Sequence, residues 1–258
     1  MTPDEIEPLL LELCDAADAE TLPRFRTAIA IDNKLAGGFD PVTEADQEAE
    51  AAIRRIIGEK LPDHGIEGEE HAPANPHAEW QWIIDPVDGT RAFISGLPTW
   101  GTLIGLYHRG KPVAGALSQP YTGERFIASG NLPFVLHRGA RTGLATRDTG
   151  TLDEAILMTT SPFLFNETGL LRYGAVEAKC RLTRYGFDCY AYAMLAAGHI
   201  DLVIESGLKA FDIAALIPLI EQAGGIVTNW NGSDASRGGD ILACANTQIH
   251  EQAMELLV

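Results

Sequence analysis

The apolar pattern of this 258-residue chain changes character once, near residue 140, and that change limits the folds open to it. From Trp100 to Leu136, short β-rich runs (Thr102 to Tyr107, Val113 to Leu117, Arg125 to Ala128, Phe134 to Leu136) alternate with turn signals. Those signals are Arg109-Gly110-Lys111-Pro112, Thr122-Gly123 and Gly130-Asn131, the punctuation of antiparallel hairpins. Beyond the polar stretch Arg138 to Gly150 the pattern becomes strand (Ala155 to Thr159), helix, strand (Cys180 to Thr183), helix (Asp188 to Ala197), strand (Ile200 to Ile204), helix (Asp212 to Ala223), strand and final helix. Alternation of that kind builds α/β layers. Ahead of the hairpins, residues 3 to 30 and Glu44 to about Lys60 carry apolar residues at helical spacing, predicting two packed helices. The expected chain is mixed α/β (α+β): an N-terminal α+β half, 1–140, and a C-terminal α/β half, 141–258, packed into one unit.

Charge narrows the function classes. Asp and Glu outnumber Lys and Arg 36 to 19, a net charge of -17, which repels nucleic-acid backbones and anionic membranes. The same excess also repels a phosphate ligand unless bound cations invert the local potential. Cys14, Cys180, Cys189 and Cys244 form no C-x-x-C pair and suggest no disulfide framework. With neither a signal-peptide pattern nor an apolar run of membrane-spanning length, the expected compartment is the cytoplasm.

The segment Ile83-Ile84-Asp85-Pro86-Val87-Asp88-Gly89-Thr90 carries the strongest chemical signal: a buried-type strand ending in two carboxylates three residues apart. Pro86 fixes φ, and Asp85, Asp88 and the Val87 carbonyl could then point into one pocket of hard oxygen ligands, the donors that select Mg²⁺ or Mn²⁺. Gly89 lets a phosphate approach the backbone, and a helix starting at Thr90 would offer its free N–H groups. A plain Asp-rich turn is the bland alternative. Upstream, Gly68-Glu69-Glu70 lies in an aperiodic loop between Leu61 and Glu79, and Asp212 opens a helix; alone, Glu69 reads as solvated and Asp212 as an N-cap. The offset of three disfavours Asp85 as a phosphorylated nucleophile of the D-x-D-x-T kind, leaving attack by metal-activated water. His64, His71 and His77 match no structural zinc spacing, and Tyr190, Met194, Ile200 and Leu202 read as core.

Together, Gly68-Glu69-Glu70, Asp85-Pro86-Val87-Asp88-Gly89-Thr90 and Phe211-Asp212-Ile213-Ala214-Ala215 resemble the three signature segments of the inositol monophosphatase superfamily, in order. A fourth, Asp40-Pro41-Val42-Thr43-Glu44-Ala45-Asp46, resembles the family's loop before its second helix, although Thr43 to Asp46 is also a capping box. Phe211 stands where the family often has Trp. The resemblance implies a layered α/β/α/β/α sandwich of the inositol monophosphatase and fructose-1,6-bisphosphatase type. It implies two or three Mg²⁺ ions, with Mn²⁺ able to substitute, held by Glu69, Asp85, the Val87 carbonyl, Asp88 and Asp212. It also implies phosphate held by Gly89 and Thr90, catalytic roles for Thr90, Glu69 and Asp46, and sensitivity to Li⁺. Lys34 reads as near the site or simply solvated.

Thr90-Arg91-Ala92-Phe93-Ile94-Ser95-Gly96-Leu97-Pro98-Thr99-Trp100-Gly101-Thr102-Leu103 resembles the histidinol-phosphatase branch. That similarity implies hydrolysis of L-histidinol phosphate, a step of histidine biosynthesis, with substrate contacts from Asp188, Glu205 and Arg91. Asp188 and Glu205 could equally be a helix cap and a solvated loop residue. The rivals are an inositol-1-phosphate or sugar-phosphate phosphatase, and a non-catalytic relative that binds a partner such as transcription machinery. The expected partner is a small phosphate monoester, with no nucleic acid and no membrane; a homodimer stays open.

Overall fold

The computed structural model describes residues 1–28, 30–33 and 41–257; Lys34 and Asp40 lie outside the described residues. The chain begins with α1 (Pro3–Thr21), whose Leu10, Leu13, Cys14 and Ala17 are buried. The expected run to residue 30 stops earlier: a short 3-10 turn, Leu22–Arg24, replaces the helix where Pro23 cannot supply an N–H. β1 (Ile31–Asn33) and β2 (Pro41–Thr43) form a small antiparallel pair, and α2 (Glu44–Lys60) packs along α1.

A seven-stranded sheet follows, built from β3 (Gly65–Gly68), β4 (Trp80–Asp88), β5 (Gly101–His108), β6 (Lys111–Gln119), β7 (Glu124–Ala128), β8 (Phe134–His137) and β9 (Ala140–Gly143), in that spatial order. A five-residue helix, α3 (Thr90–Ile94), separates β4 from β5. Within this sheet β3 and β4 run parallel and the other neighbours are antiparallel; the β5–β6, β6–β7 and β7–β8 hairpins fall at the predicted turn signals. The loop expected from Leu61 to Glu79 therefore contains an edge strand, β3.

The second sheet comprises β10 (Ile156–Thr159), β11 (Leu182–Tyr185), β12 (Leu202–Leu208), β13 (Ile226–Asn229) and β14 (Gly239–Cys244), ordered β11-β10-β12-β14-β13. Its helices are α4 (Glu167–Glu177), α5 (Asp188–Ala196), α6 (Ala210–Ile213), α7 (Leu216–Gln222) and α8 (Thr247–Leu257). The single helix expected over Asp212 to Ala223 is thus two, and the last strand is an antiparallel pair, β13 with β14.

Alternating side chains sort the layers. In the first sheet Ile104, Ala116 and Ile127 face α1 and α2, whereas Leu103, Leu117 and Phe126 face a central layer containing α5 and α7. In the second sheet Val203, Ile241 and Ala243 face that same layer, whereas Leu202, Leu242 and Cys244 face α4 and α8. The result is the expected α/β/α/β/α sandwich. Two glycines make the central contact close. Gly105 and Gly115 pair across β5 and β6, and a Cβ on either would lie 2.8 Å from the Ala214 Cβ or 2.1 Å from the Ala215 carbonyl oxygen. The junction of α6 and α7 thereby rests directly on the sheet. All four cysteines are free, and among the described residues no helix is long and apolar enough to cross a membrane.

Candidate active site

Strand β4 runs through Asp88 with an irregularity between Asp85 and Asp88. Pro86 has no N–H for the ladder, so the strand bulges there. Three local bonds set the bulge: the Val87 N–H donates to Asp85 Oδ1 at 3.1 Å, the Thr102 hydroxyl to the Pro86 carbonyl at 2.8 Å, and the Thr90 hydroxyl to the Val87 carbonyl at 3.0 Å. Gly89 caps α3 with φ of 81°, a left-handed conformation that favours glycine, and a Cβ there would crowd the Asp188 side chain at 3.1 Å.

The layers then converge on this corner. One carboxylate oxygen each from Asp85, Asp88 and Asp212 lie within 4.8 Å of one another. Burial, and after it the charges of Glu69, Asp88, Asp212 and Asp46, pushes the Asp85 carboxyl well above the usual range. Burial and the charges of Asp188 and Asp212 do the same to Asp88, against a 2.7 Å bond from the Cys189 N–H. Asp212 is raised to about 6 by burial, opposed by the Lys209 N–H that its Oδ2 accepts at 2.6 Å. It is the third residue of α6 and not its cap. Such crowding of like charges, with only hard oxygen donors present, fits a divalent cation.

Asp46 and Glu69 flank the cluster. Asp46 is fully buried; its Oδ2 accepts the Thr43 N–H and hydroxyl at 2.9 and 2.6 Å, and Oδ1 lies 3.4 Å from the Thr90 hydroxyl. It is both capping-box acid and neighbour of Thr90. Glu69 follows β3, where its N–H donates to the Ile84 carbonyl at 3.2 Å, and its charge acts on Asp46, Asp85 and Asp212.

A pocket of about 200 Å³ opens beside the cluster, lined among others by Asp88, Gly89, Thr90, Arg91, Asp188, Glu205 and Asp212. Glu205 is not in a loop but within β12, only 4% exposed, with Oε1 accepting the Thr160 N–H at 2.6 Å; burial raises it to about 7. Asp188 opens α5 in the left-handed region, φ of 43°, unusual for a residue with a side chain. Burial raises it to about 6, opposed by the Arg91 charge.

Two features escaped the sequence reading. Tyr192 lines the pocket with its hydroxyl buried and without a hydrogen-bond partner among the described residues. Glu50, fully buried on α2, holds the segment that carries Glu69; a carboxylate on the apolar stripe of Ala49, Ile53 and Ile57 was its available signal. The zinc alternative finds no support in His64, whose Nδ1 accepts the Trp82 indole N–H at 3.1 Å and whose ring stacks on Trp80.

Comparison with known proteins agrees with this architecture. The family model described as "Inositol monophosphatase family" matches residues 3–258. The chain is 42% identical over 261 residues to "Bifunctional phosphatase IMPL2, chloroplastic" of Arabidopsis thaliana, covering 95% of this chain and 72% of that protein. It is 33% identical over 254 residues to "Histidinol-phosphatase" of Mycobacterium tuberculosis, covering 96% of each. A solved inositol monophosphatase from Zymomonas mobilis superposes with a TM-score of 0.86 at 40% identity, covering 98% of this chain and 97% of that one.

Proposed function

Since the chain belongs to the inositol monophosphatase family, we propose that it is a Mg²⁺-dependent phosphomonoesterase that hydrolyses L-histidinol phosphate to L-histidinol and phosphate. Phosphatase activity and use of divalent metal ions come with the family; the substrate is our reading. The observation that carries it is a pair of carboxylates, half-buried Asp188 and buried Glu205, lining one pocket with Asp88 and Asp212 of the carboxylate cluster. The similarity to a histidinol-phosphatase across 96% of the chain supports it.

In this reading Glu69, Asp85, the Val87 carbonyl, Asp88 and Asp212 hold the ions. When bound, these supply the positive charge that acidifies a water and offsets charge building on the phosphoryl group. The chain's own groups do the rest. The Gly89 and Thr90 amides take the phosphate, and the absence of a Cβ at Gly89 permits its close approach. The Thr90 hydroxyl, placed between the Val87 carbonyl and Asp46 Oδ1, accepts a proton from the attacking water and passes its own toward Asp46, whose carboxyl burial holds above the ordinary range. Asp188 and Glu205 bind the substrate ammonium, with Arg91 beside Asp188 at the mouth. A neutral polyol would leave buried Glu205 desolvated without a counter-charge.

The second reading, an inositol-1-phosphate phosphatase, is favoured by the 40% identity to the Zymomonas enzyme. A phosphate-release panel with Mg²⁺ separates the two. We expect kcat/KM for histidinol phosphate to exceed that for inositol-1-phosphate by about tenfold or more, the discrimination one matched charge supplies; the reverse order selects the second reading.

A further inference from the structure

Helix α2 sends two carboxylates inward one turn apart. Asp46 goes to Thr90, and Glu50 goes to the segment Gly68-Glu69-Glu70-His71, where it touches no group of the proposed chemistry. Its partners are nevertheless specific. The Glu70 N–H donates to Glu50 Oε2 at 2.7 Å and the His71 N–H to Oε1 at 3.3 Å. Arg54, one turn further along the helix, donates through Nε to Oε1 at 2.6 Å and through Nη2 to the His71 carbonyl at 3.2 Å. The segment is thus gripped on its amide side by the acid and on its carbonyl side by the guanidinium. The grip is tight: a Cβ on Gly68 would fall 2.1 Å from Glu50 Oε1 and 2.6 Å from Oε2.

A buried carboxylate with a charge-assisted partner and two backbone donors is costly to desolvate and holds its partners in one geometry. What it holds here is the chain on both sides of Glu69: Gly68 presses on the carboxylate before it, and Glu70 and His71 bond to it after. The strand side is pinned by the Glu69 N–H on Ile84, one residue before Asp85. We infer that Glu50, locked by Arg54, is a positioning residue that sets where the Glu69 carboxylate stands relative to the Asp85 cluster. It acts through Glu69 and does not itself contact ion or substrate. The inference rests on the reading of Glu69 as a group of the metal site.

A double-mutant cycle with Mn²⁺ as the probe tests it. The free ion is followed by electron paramagnetic resonance in wild type, Glu50→Gln, Glu69→Gln and the double variant, alongside thermal melting and phosphate release. Glu50→Gln should weaken the tightest Mn²⁺ site by about 10- to 100-fold, as loss of an orienting partner does. The double variant should bind no worse than Glu69→Gln alone, because a residue that acts through another has nothing left to position. If Glu50→Gln does not fold, Gly68→Ala displaces the same carboxylate from the other side and should give the same pattern. Losses that add in the double variant, or wild-type Mn²⁺ affinity in both Glu50→Gln and Gly68→Ala, overturn the inference. Wild-type affinity and turnover in Glu69→Gln would instead overturn the reading of Glu69, and the inference with it.

Discussion

The two acidic walls of the pocket are built on different physical terms. Asp85, Asp88 and Asp212 press their oxygens within 4.8 Å of one another, and Asp85 and Asp88 are raised by neighbouring charges, Asp212 among them, as well as by burial. Asp188 and Glu205 lie outside that triad, although the Asp188 charge also raises Asp88; burial is the first cause of their own shift, and Glu205 is already served by the Thr160 N–H. Crowded carboxylates call for a cation at one point between them. Separately desolvated ones are satisfied by a substrate cation or by a proton. In the proposed function the first set takes the metal and the second the substrate cation.

The comparison breaks first at the crowded wall. Asp85→Asn or Asp88→Asn should lower phosphate release by several orders of magnitude with the circular-dichroism spectrum unchanged, because a ligand charge is lost while the bulge bonds remain. Full turnover in excess chelator would remove the metal from the account. The recognition wall should respond differently. Glu205→Ala and Asp188→Ala should cost about 2 kcal/mol, roughly thirtyfold, in kcat/KM for histidinol phosphate, and far less for a phosphomonoester without an ammonium. Equal losses on both substrates would dissolve the distinction between the walls.

Two smaller effects sharpen it. Gly115→Ala puts a Cβ 2.1 Å from the Ala215 carbonyl oxygen. It should destabilise the fold by about 1–3 kcal/mol on melting and, by lifting the α6–α7 junction that carries Asp212, weaken Mg²⁺ activation. A melting temperature like wild type would show that the seat tolerates a methyl group. The least of the four is a pH effect on the metal-free chain. Glu205 at about 7, and Asp188 and Asp212 at about 6, lie above their ordinary range near 4. Raised acids favour the protonated fold. The destabilisation is therefore absent below about pH 4 and complete above about 7. In chelator the melting temperature should rise as pH falls from 8 to 6, and Mg²⁺ should stabilise more at pH 8 than at pH 6. A flat profile would mean that the walls are solvated.

Much of this was legible in the sequence, residue by residue. The Asp85 to Thr90 segment declares itself because Pro86, Gly89 and the two acids act through bonds spanning two or three residues. The Thr43 to Asp46 box was readable for the same reason. Glu205 was misread as a loop residue because Ser206 and Gly207 look like a turn, whereas β12 continues past a shift in register beside β14. Glu50 sits on the apolar stripe of its helix, which marks it as inward-facing, but only the segment at Gly68 to His71, some twenty residues on, reveals its use.

What the sequence determined by itself was therefore whatever short-range sterics and periodicity control: the hairpin meander, the strand–helix alternation, the bulge at Pro86 and the caps. What the tertiary structure decided was which acids share a cavity. The bond from the Cys189 N–H to Asp88 spans 101 residues, and Asp212 reaches Asp85 because Gly105 and Gly115 let a helix junction rest on the sheet. Separations of that length carry no local signal. They are set by how layers close around a core, and the pocket's charge, with every shifted carboxyl in it, exists only once those layers have closed.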